Sequence, residues 1–230
     1  MNAVIELQKD LIDPSKKLSD ILPKAYLVAQ KLKLDDLSQW IKNEMKGYSN
    51  VKECPDYRHM SGVLKGRNPY VGWQVIQIPD MELENVVNNF VETESIRTLE
   101  SLIETKEVLY HTVPAELIDV LHLNGCTQLG IYFMTTSYRS VIEAVRQELL
   151  DWTITLEKNG IKGENMSFLK EEVKKAQNTT PATIINNFSG DINALQMAQN
   201  NETVNQSQDN KKTGGLLSAI WSGIKKLFSW

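Results

Sequence analysis

Residues 177–210 divide this chain in two. Nineteen of those thirty-four positions are Asn, Gln, Ser or Thr, and a tract so poor in apolar surface cannot offset the entropy of ordering its own backbone. The core must therefore come chiefly from the residues before it, and whatever follows is reached only across a long polar tract. The expected divisions are a body at 1–175, a polar linker at 176–213 and a terminal helix at 214–230. Seven apolar residues interrupt the linker: Ile184, Ile185, Phe188, Ile192, Leu195, Met197 and Val204, with Ser189-Gly190-Asp191 as a turn signal. Asn and Gln side chains form ladders when identical strands stack in register. These seven are thus candidates for a strand or hairpin that orders on self-association; the alternative is a plain linker.

The last seventeen residues differ from everything before them. At 100° per residue, Leu216, Leu217, Ile220, Trp221, Ile224, Leu227 and Phe228 fall on one arc of about 140°. Ser218, Ser222, Lys225, Lys226 and Ser229 fall opposite. The segment has two lysines, no acid and two tryptophans, Trp221 and Trp230, a composition suited to a lipid interface with rings at headgroup depth. Burying one large apolar side chain is worth roughly 1.5–3 kcal/mol, so such a stripe will not stay in water. It must cover the protein's own core, a partner's groove, an oligomer seam or a membrane. Fifteen helical residues rise only about 22 Å, against a bilayer core of about 30 Å. Lying in the interface fits that length, as does spanning a locally thinned bilayer as one member of an assembly; a simple single-pass anchor does not. The membrane-binding candidates are Leu216, Leu217, Ile220, Trp221, Ile224, Lys225, Lys226, Leu227, Phe228 and Trp230.

Charge follows the same division. The formal net charge is −4, yet residues 211–230 carry Lys211, Lys212, Lys225 and Lys226 without an acid, so residues 1–210 carry −8. An acidic body is a poor phosphate-binding surface, and no nucleic-acid partner is expected. Cys54 and Cys126 are isolated thiols that suggest neither a disulfide framework nor a zinc site. The N-terminus lacks a secretory pattern, and no apolar run reaches eighteen residues. The expected location is the cytoplasm, with any membrane contact made from its inner face.

The body reads as α+β, predominantly helical with a small strand unit. Val4, Ile5, Leu7, Leu11 and Ile12 begin a first helix broken at Asp13-Pro14. Ser19 is the expected N-cap of a second, carrying Ile21, Leu22, Tyr26, Leu27 and Leu32. Leu37, Trp40, Ile41 and Met45 share a face of a third, which Gly47 ends. Two or three strands are expected within 48–80, where Pro and Gly punctuate runs such as Trp73-Gln-Val-Ile-Gln-Ile78. Residues 81–105 read as acidic helix, Pro114 as the first turn of another through Leu121, and Ile131–Met134 as strand. Val141, Ile142, Val145, Leu149, Trp152 and Leu156 mark a long helix from Tyr138 to Lys158, capped by Thr136 or Ser137 and stopped at Asn159-Gly160. A last amphipathic stretch covers Phe168–Ala176. Trp40, Trp73 and Trp152 are all expected in the core.

Catalytic signatures are missing. His59, His111 and His122 form no ligand cluster, and there is no G-x-S-x-G motif. Gly62-Val-Leu-Lys-Gly-Arg lacks the Gly-Lys-Ser/Thr ending of a phosphate loop. Asp35-Asp36 and Glu171-Glu172 are helical neighbours pointing about 100° apart, so neither is a ready acid/base pair. No catalytic residue, metal or cofactor is expected.

Several stretches of the body resemble the AbiTii domain, a family of bacterial proteins associated with abortive infection and phage defence. They are Leu22-Pro-Lys-Ala-Tyr-Leu-Val-Ala-Gln-Lys-Leu32, Trp40-Ile-Lys-Asn-Glu-Met-Lys-Gly-Tyr48, Asn68-Pro-Tyr-Val-Gly-Trp73, Val145–Ile161 and Met166-Ser-Phe168. The resemblance implies a mostly helical sensor or scaffold domain whose effector is the attached segment. Joined to the tail, it leads to the expectation of a non-enzymatic antiphage protein. Its expected partners are a phage protein trigger, inner-membrane lipid and, on activation, further copies of itself. The alternatives are a regulatory module whose tail docks a partner protein, and a nuclease-type toxin.

Overall fold

The structure, a computed structural model, describes residues 2–78, 81–105, 108–113, 118, 119, 121, 123 and 125–179. In chain order the first elements are α1 (Ala3–Ile12), α2 (Leu18–Lys31), α3 (Asp35–Lys46), β1 (His59–Ser61), β2 (Val63–Asn68) and β3 (Gly72–Val75). Then follow α4 (Met81–Asn88), β4 (Asn89–Val91), α5 (Ile96–Thr105), β5 (Val108–Val113), β6 (Gln128–Met134), α6 (Thr135–Lys158) and α7 (Lys170–Thr179). The class is α+β, with two small antiparallel sheets. Two compact units result: residues 2–58, 92–105 and 135–179 form one, and residues 59–78, 81–91 and the described part of 108–134 form the other.

The first unit is helical. Asn2 caps α1, its side-chain oxygen accepting from the N–H groups of Val4 and Ile5 at 3.1 and 3.2 Å. Pro14 ends the helix after Ile12, as expected, and Arg146 of α6 donates to the freed carbonyl of Leu11 at 2.8 Å. The start of α2 corrects the sequence reading. Ser19 lies inside the first turn, and the cap is Glu100 of α5, whose carboxylate accepts from the N–H groups of Leu18 and Ser19 at 2.7 and 3.4 Å. An acid at a helix N-terminus satisfies orphan donors and meets the positive end of the dipole wherever it comes from in sequence.

The long helix α6 supplies the spine. Tyr138, Val141, Ile142, Val145, Leu149, Trp152 and Leu156 are all buried, and α6 packs on α1, α2 and α5. It starts at Thr135, directly after β6, so neither Thr136 nor Ser137 is its cap. Its end is as read: Gly160 has φ +72°, and the Ile161 N–H donates back to the Leu156 carbonyl at 3.0 Å. Leu7, Leu22, Val28, Leu32, Ile41, Leu99, Val145 and Leu149 complete a fully buried core.

The second unit is built on strands. Its four-stranded sheet has the order β3-β2-β6-β5, and β1 pairs separately with β4. The register sets Leu64 beside Ile131, and Leu109 beside Phe133, with all four side chains buried. Alternation then turns Lys65, Arg67, Trp73, Val75, Tyr110 and Tyr132 to the other face. Trp73 is therefore not in the core; it is 37% exposed on a short edge strand. The expected helix over 81–105 is also corrected, since β4 and a turn separate α4 from α5. Asn88 marks the break: its carbonyl accepts from Gly62 N–H at 2.8 Å and its side-chain oxygen from Leu64 N–H at 3.2 Å. The expected helix after Pro114 falls largely outside the described residues.

Candidate functional site

Helix α3 presents Trp40, Glu44 and Tyr48 at four-residue spacing, one stripe of the helix and its continuation. Two 3-10 turns at Val51–Glu53 and Asp56–Arg58 then bring Tyr57 and Arg58 back against that stripe. The result is a buried polar centre. Arg58 grips Glu44 with two bonds, Nε to Oε1 at 3.2 Å and Nη2 to Oε2 at 2.6 Å, and both side chains are 0% exposed. Its Nη1 donates to the carbonyls of Glu92 and Glu94 at 2.8 and 2.9 Å. The guanidinium lies 4.7 Å from the Tyr48 ring centroid. Glu44 Oε1 also accepts from the hydroxyls of Tyr48 at 2.6 Å and Tyr57 at 2.7 Å, and Tyr57 in turn accepts from the Trp40 indole at 2.8 Å.

This arrangement fixes protons rather than moving them. Burial, reinforced by the Glu44 carboxylate, holds the Tyr48 and Tyr57 phenols far above their ordinary range. Burial would lower the affinity of Arg58 for its proton, but Glu44 more than offsets it and the net shift is upward. Cys54, beside the cluster, is pushed up to about 11, chiefly by burial, so it is a thiol at neutral pH. Glu92 is raised by burial, partly offset by the Glu94 N–H that donates to it at 2.8 Å. Every donor on Arg58 that the geometry defines points at protein, and Glu44 is saturated. The centre ties α3, the 51–58 turns and the 92–94 crossing together. Spacing along α3 was visible in the sequence; the partners that reach Glu44 from thirteen and fourteen residues on, Tyr57 and Arg58, were not.

The second unit carries a different kind of surface. On the outer face of the four-stranded sheet, Tyr110 and Tyr132 stack with ring centroids 5.3 Å apart and planes 20° apart. Trp73 meets Tyr132 edge-on at 5.4 Å. Lys65 Nζ lies 4.7 Å from the Tyr132 ring centroid, and Arg67 Nη1 reaches Gln128 Oε1 at 3.5 Å. Val63, Val75, Val108 and Met134 are exposed around them. No motif reading singled this face out. The alternation that exposes it is in the burial of β5, whose residues Val108-Leu-Tyr-His-Thr-Val113 show no apolar/polar alternation by themselves.

All residues singled out in the linker and in the terminal helix, between 184 and 204 and between 216 and 230, lie outside the described residues. Among the described residues no group of three or more His, Cys, Asp or Glu is placed to hold a metal ion, and no helix is long and apolar enough to cross a membrane.

The described residues thus carry a helical unit locked by a saturated ion pair and a small sheet with an exposed aromatic face. The AbiTii family model matches residues 3–181, and the chain belongs to that family. Membership points to phage defence by abortive infection. The Trp40–Tyr48 stretch that carried the resemblance contains the Glu44 end of the buried centre. No curated protein and no solved structure matches the chain.

Proposed function

We propose that this chain defends a bacterium by sensing a phage protein with its body and then permeabilising the inner membrane with residues 214–230. The observation that carries this reading is the single apolar arc from Leu216 to Phe228, backed by Lys225 and Lys226 and set beyond a long polar tract. The action is non-catalytic and starts from the cytoplasm. Before infection the stripe is masked, because an exposed apolar face of that size promotes aggregation. Assembly through the linker, with Ile184, Ile185, Phe188, Ile192, Leu195, Met197 and Val204 as its apolar contacts, presents several tails together. Weak individual insertions then add into a strong one. Each lysine near anionic headgroups adds about 1 kcal/mol.

The test compares membrane potential, dye entry and plaque counts in phage-challenged cells carrying the full chain, a chain ending at Asn210, Ile220→Asp or Leu227→Asp. Loss of both depolarisation and protection in all three altered chains is the expected result. Protection that persists without the tail assigns the activity to the body and leaves the tail a docking element. A synthetic 214–230 peptide that stays unstructured with anionic vesicles would favour a protein groove as the target.

A further inference from the structure

We infer that the outer face of the β3-β2-β6-β5 sheet is the docking surface for an acidic, apolar protein segment, and, resting on the sensing role proposed above, that this segment belongs to the phage trigger. The chain has 29 acidic residues, yet the four strands, Val63–Asn68, Gly72–Val75, Val108–Val113 and Gln128–Met134, contain neither Asp nor Glu. Their outer face instead carries Lys65 and Arg67. Lys65 contacts an aromatic ring and Arg67 a neutral amide; among the described residues neither meets a carboxylate. Such a face attracts an acidic ligand within an otherwise acidic body.

Around these cations lies an apolar surface rich in the residue types that dominate protein interfaces. Trp73 is 37% exposed, Tyr110 52% and Met134 65%, with Val63, Val75 and Val108 beside them. Strands about 4.8 Å apart give four of them a width of roughly 15 Å, the footprint of a short extended segment or hairpin.

Ring geometry separates a protein from a nucleic acid. Tyr110 and Tyr132 face each other, and Lys65 sits over the Tyr132 ring. Trp73 is tilted 66° to Tyr132. The three rings form an angled cluster around Tyr132 in place of the parallel, separately exposed rings on which successive bases stack. Charge also selects against two occupants from within the protein. A second copy of this face would set cations against cations, and the 214–230 tail brings two more lysines and no acid.

The experiment uses the full chain and a phage that it restricts. Phage isolates that escape protection are sequenced, and the altered phage protein is purified in its unaltered form as the probe. The expected result is that Lys65→Glu/Arg67→Glu weakens binding of that protein by about tenfold or more in calorimetry. The variant should also lose protection, yet still depolarise cells when overexpressed. Reversing one acidic residue of the phage protein to Lys should restore binding to the variant. If charge reversal shifts the thermal unfolding midpoint, Lys65→Gln/Arg67→Gln gives the same readout with less perturbation. Unchanged affinity and protection in these variants would overturn the inference. So would binding of a single-stranded oligothymidylate that is lost in the same variants. Failure of the membrane reading is distinguishable, because the overexpressed full chain would then not depolarise cells while the binding loss at Lys65 and Arg67 remained.

Discussion

Glu44 and Arg58 hold each other where neither could stand alone. Glu44→Leu would leave a guanidinium without its carboxylate in a site that is 0% exposed, together with two phenols that have lost their acceptor. A broken buried pair costs about 3–5 kcal/mol, so the urea midpoint of the first unit should fall by that equivalent. Glu44→Leu/Arg58→Met should recover part of the loss, because a hydrophobic replacement removes the stranded charge. Recovery stays incomplete, since Tyr48 and Tyr57 still lack an acceptor. A double variant no better than the single one would show that the pair is not the source of the cost. At this scale the sequence reading was partial for a physical reason. Leu37, Trp40, Ile41 and Met45 mark the apolar face of α3, and Tyr48 lies beyond the helix end, but Glu44 looks like any solvated helix carboxylate. Its burial depends on Arg58, fourteen residues on and reached through two 3-10 turns that no periodicity announces.

Elements that owe their existence to their own residues were legible, and those that owe it to a neighbour were not. The spacing of Val141, Val145, Leu149, Trp152 and Leu156 is enough to define α6, and Pro14 and Gly47 end α1 and α3 by their own stereochemistry. The start of α2 depends instead on Glu100, and β4 exists through its pairing with β1. Trp73 faces outward because the β2 register decides its side, and no window of sequence around Trp73 contains that information. The loop after α6 offers a test. Gly163 has φ +64°, and a Cβ there would lie 2.4 Å from the Phe168 ring. Its carbonyl accepts from Ala3 N–H at 3.0 Å, while Glu172 accepts from the N–H groups of Lys162, Gly163 and Leu169 at 2.7, 3.3 and 2.8 Å. Gly160 also has positive φ but open space around it. Gly160→Ala should therefore cost only the backbone strain of about 1–2 kcal/mol, and Gly163→Ala that strain plus about 1–3 kcal/mol of overpacking. Equal unfolding midpoints for the two variants would show that the Phe168 ring yields freely.

At the scale of the molecule, the helical unit is assembled from three separated stretches of chain, with the strand unit inserted between them twice. Its first helix lays Leu7 and Leu11 into a core that α6 completes. A chain cut after Met134 should consequently lose amide-exchange protection at Leu7, Leu11 and Leu22, which the full chain keeps; retained protection would mean that α1–α3 and α5 suffice. Contacts that span most of the sequence also delay folding. During synthesis at about 5–20 residues per second, α1 is made on the order of ten seconds before the helix it packs on exists. Residues 214–230 leave the ribosome later still. On the function proposed above, the segment that would act on the membrane is made only after the spine of the body, and a product terminated before residue 214 would lack it.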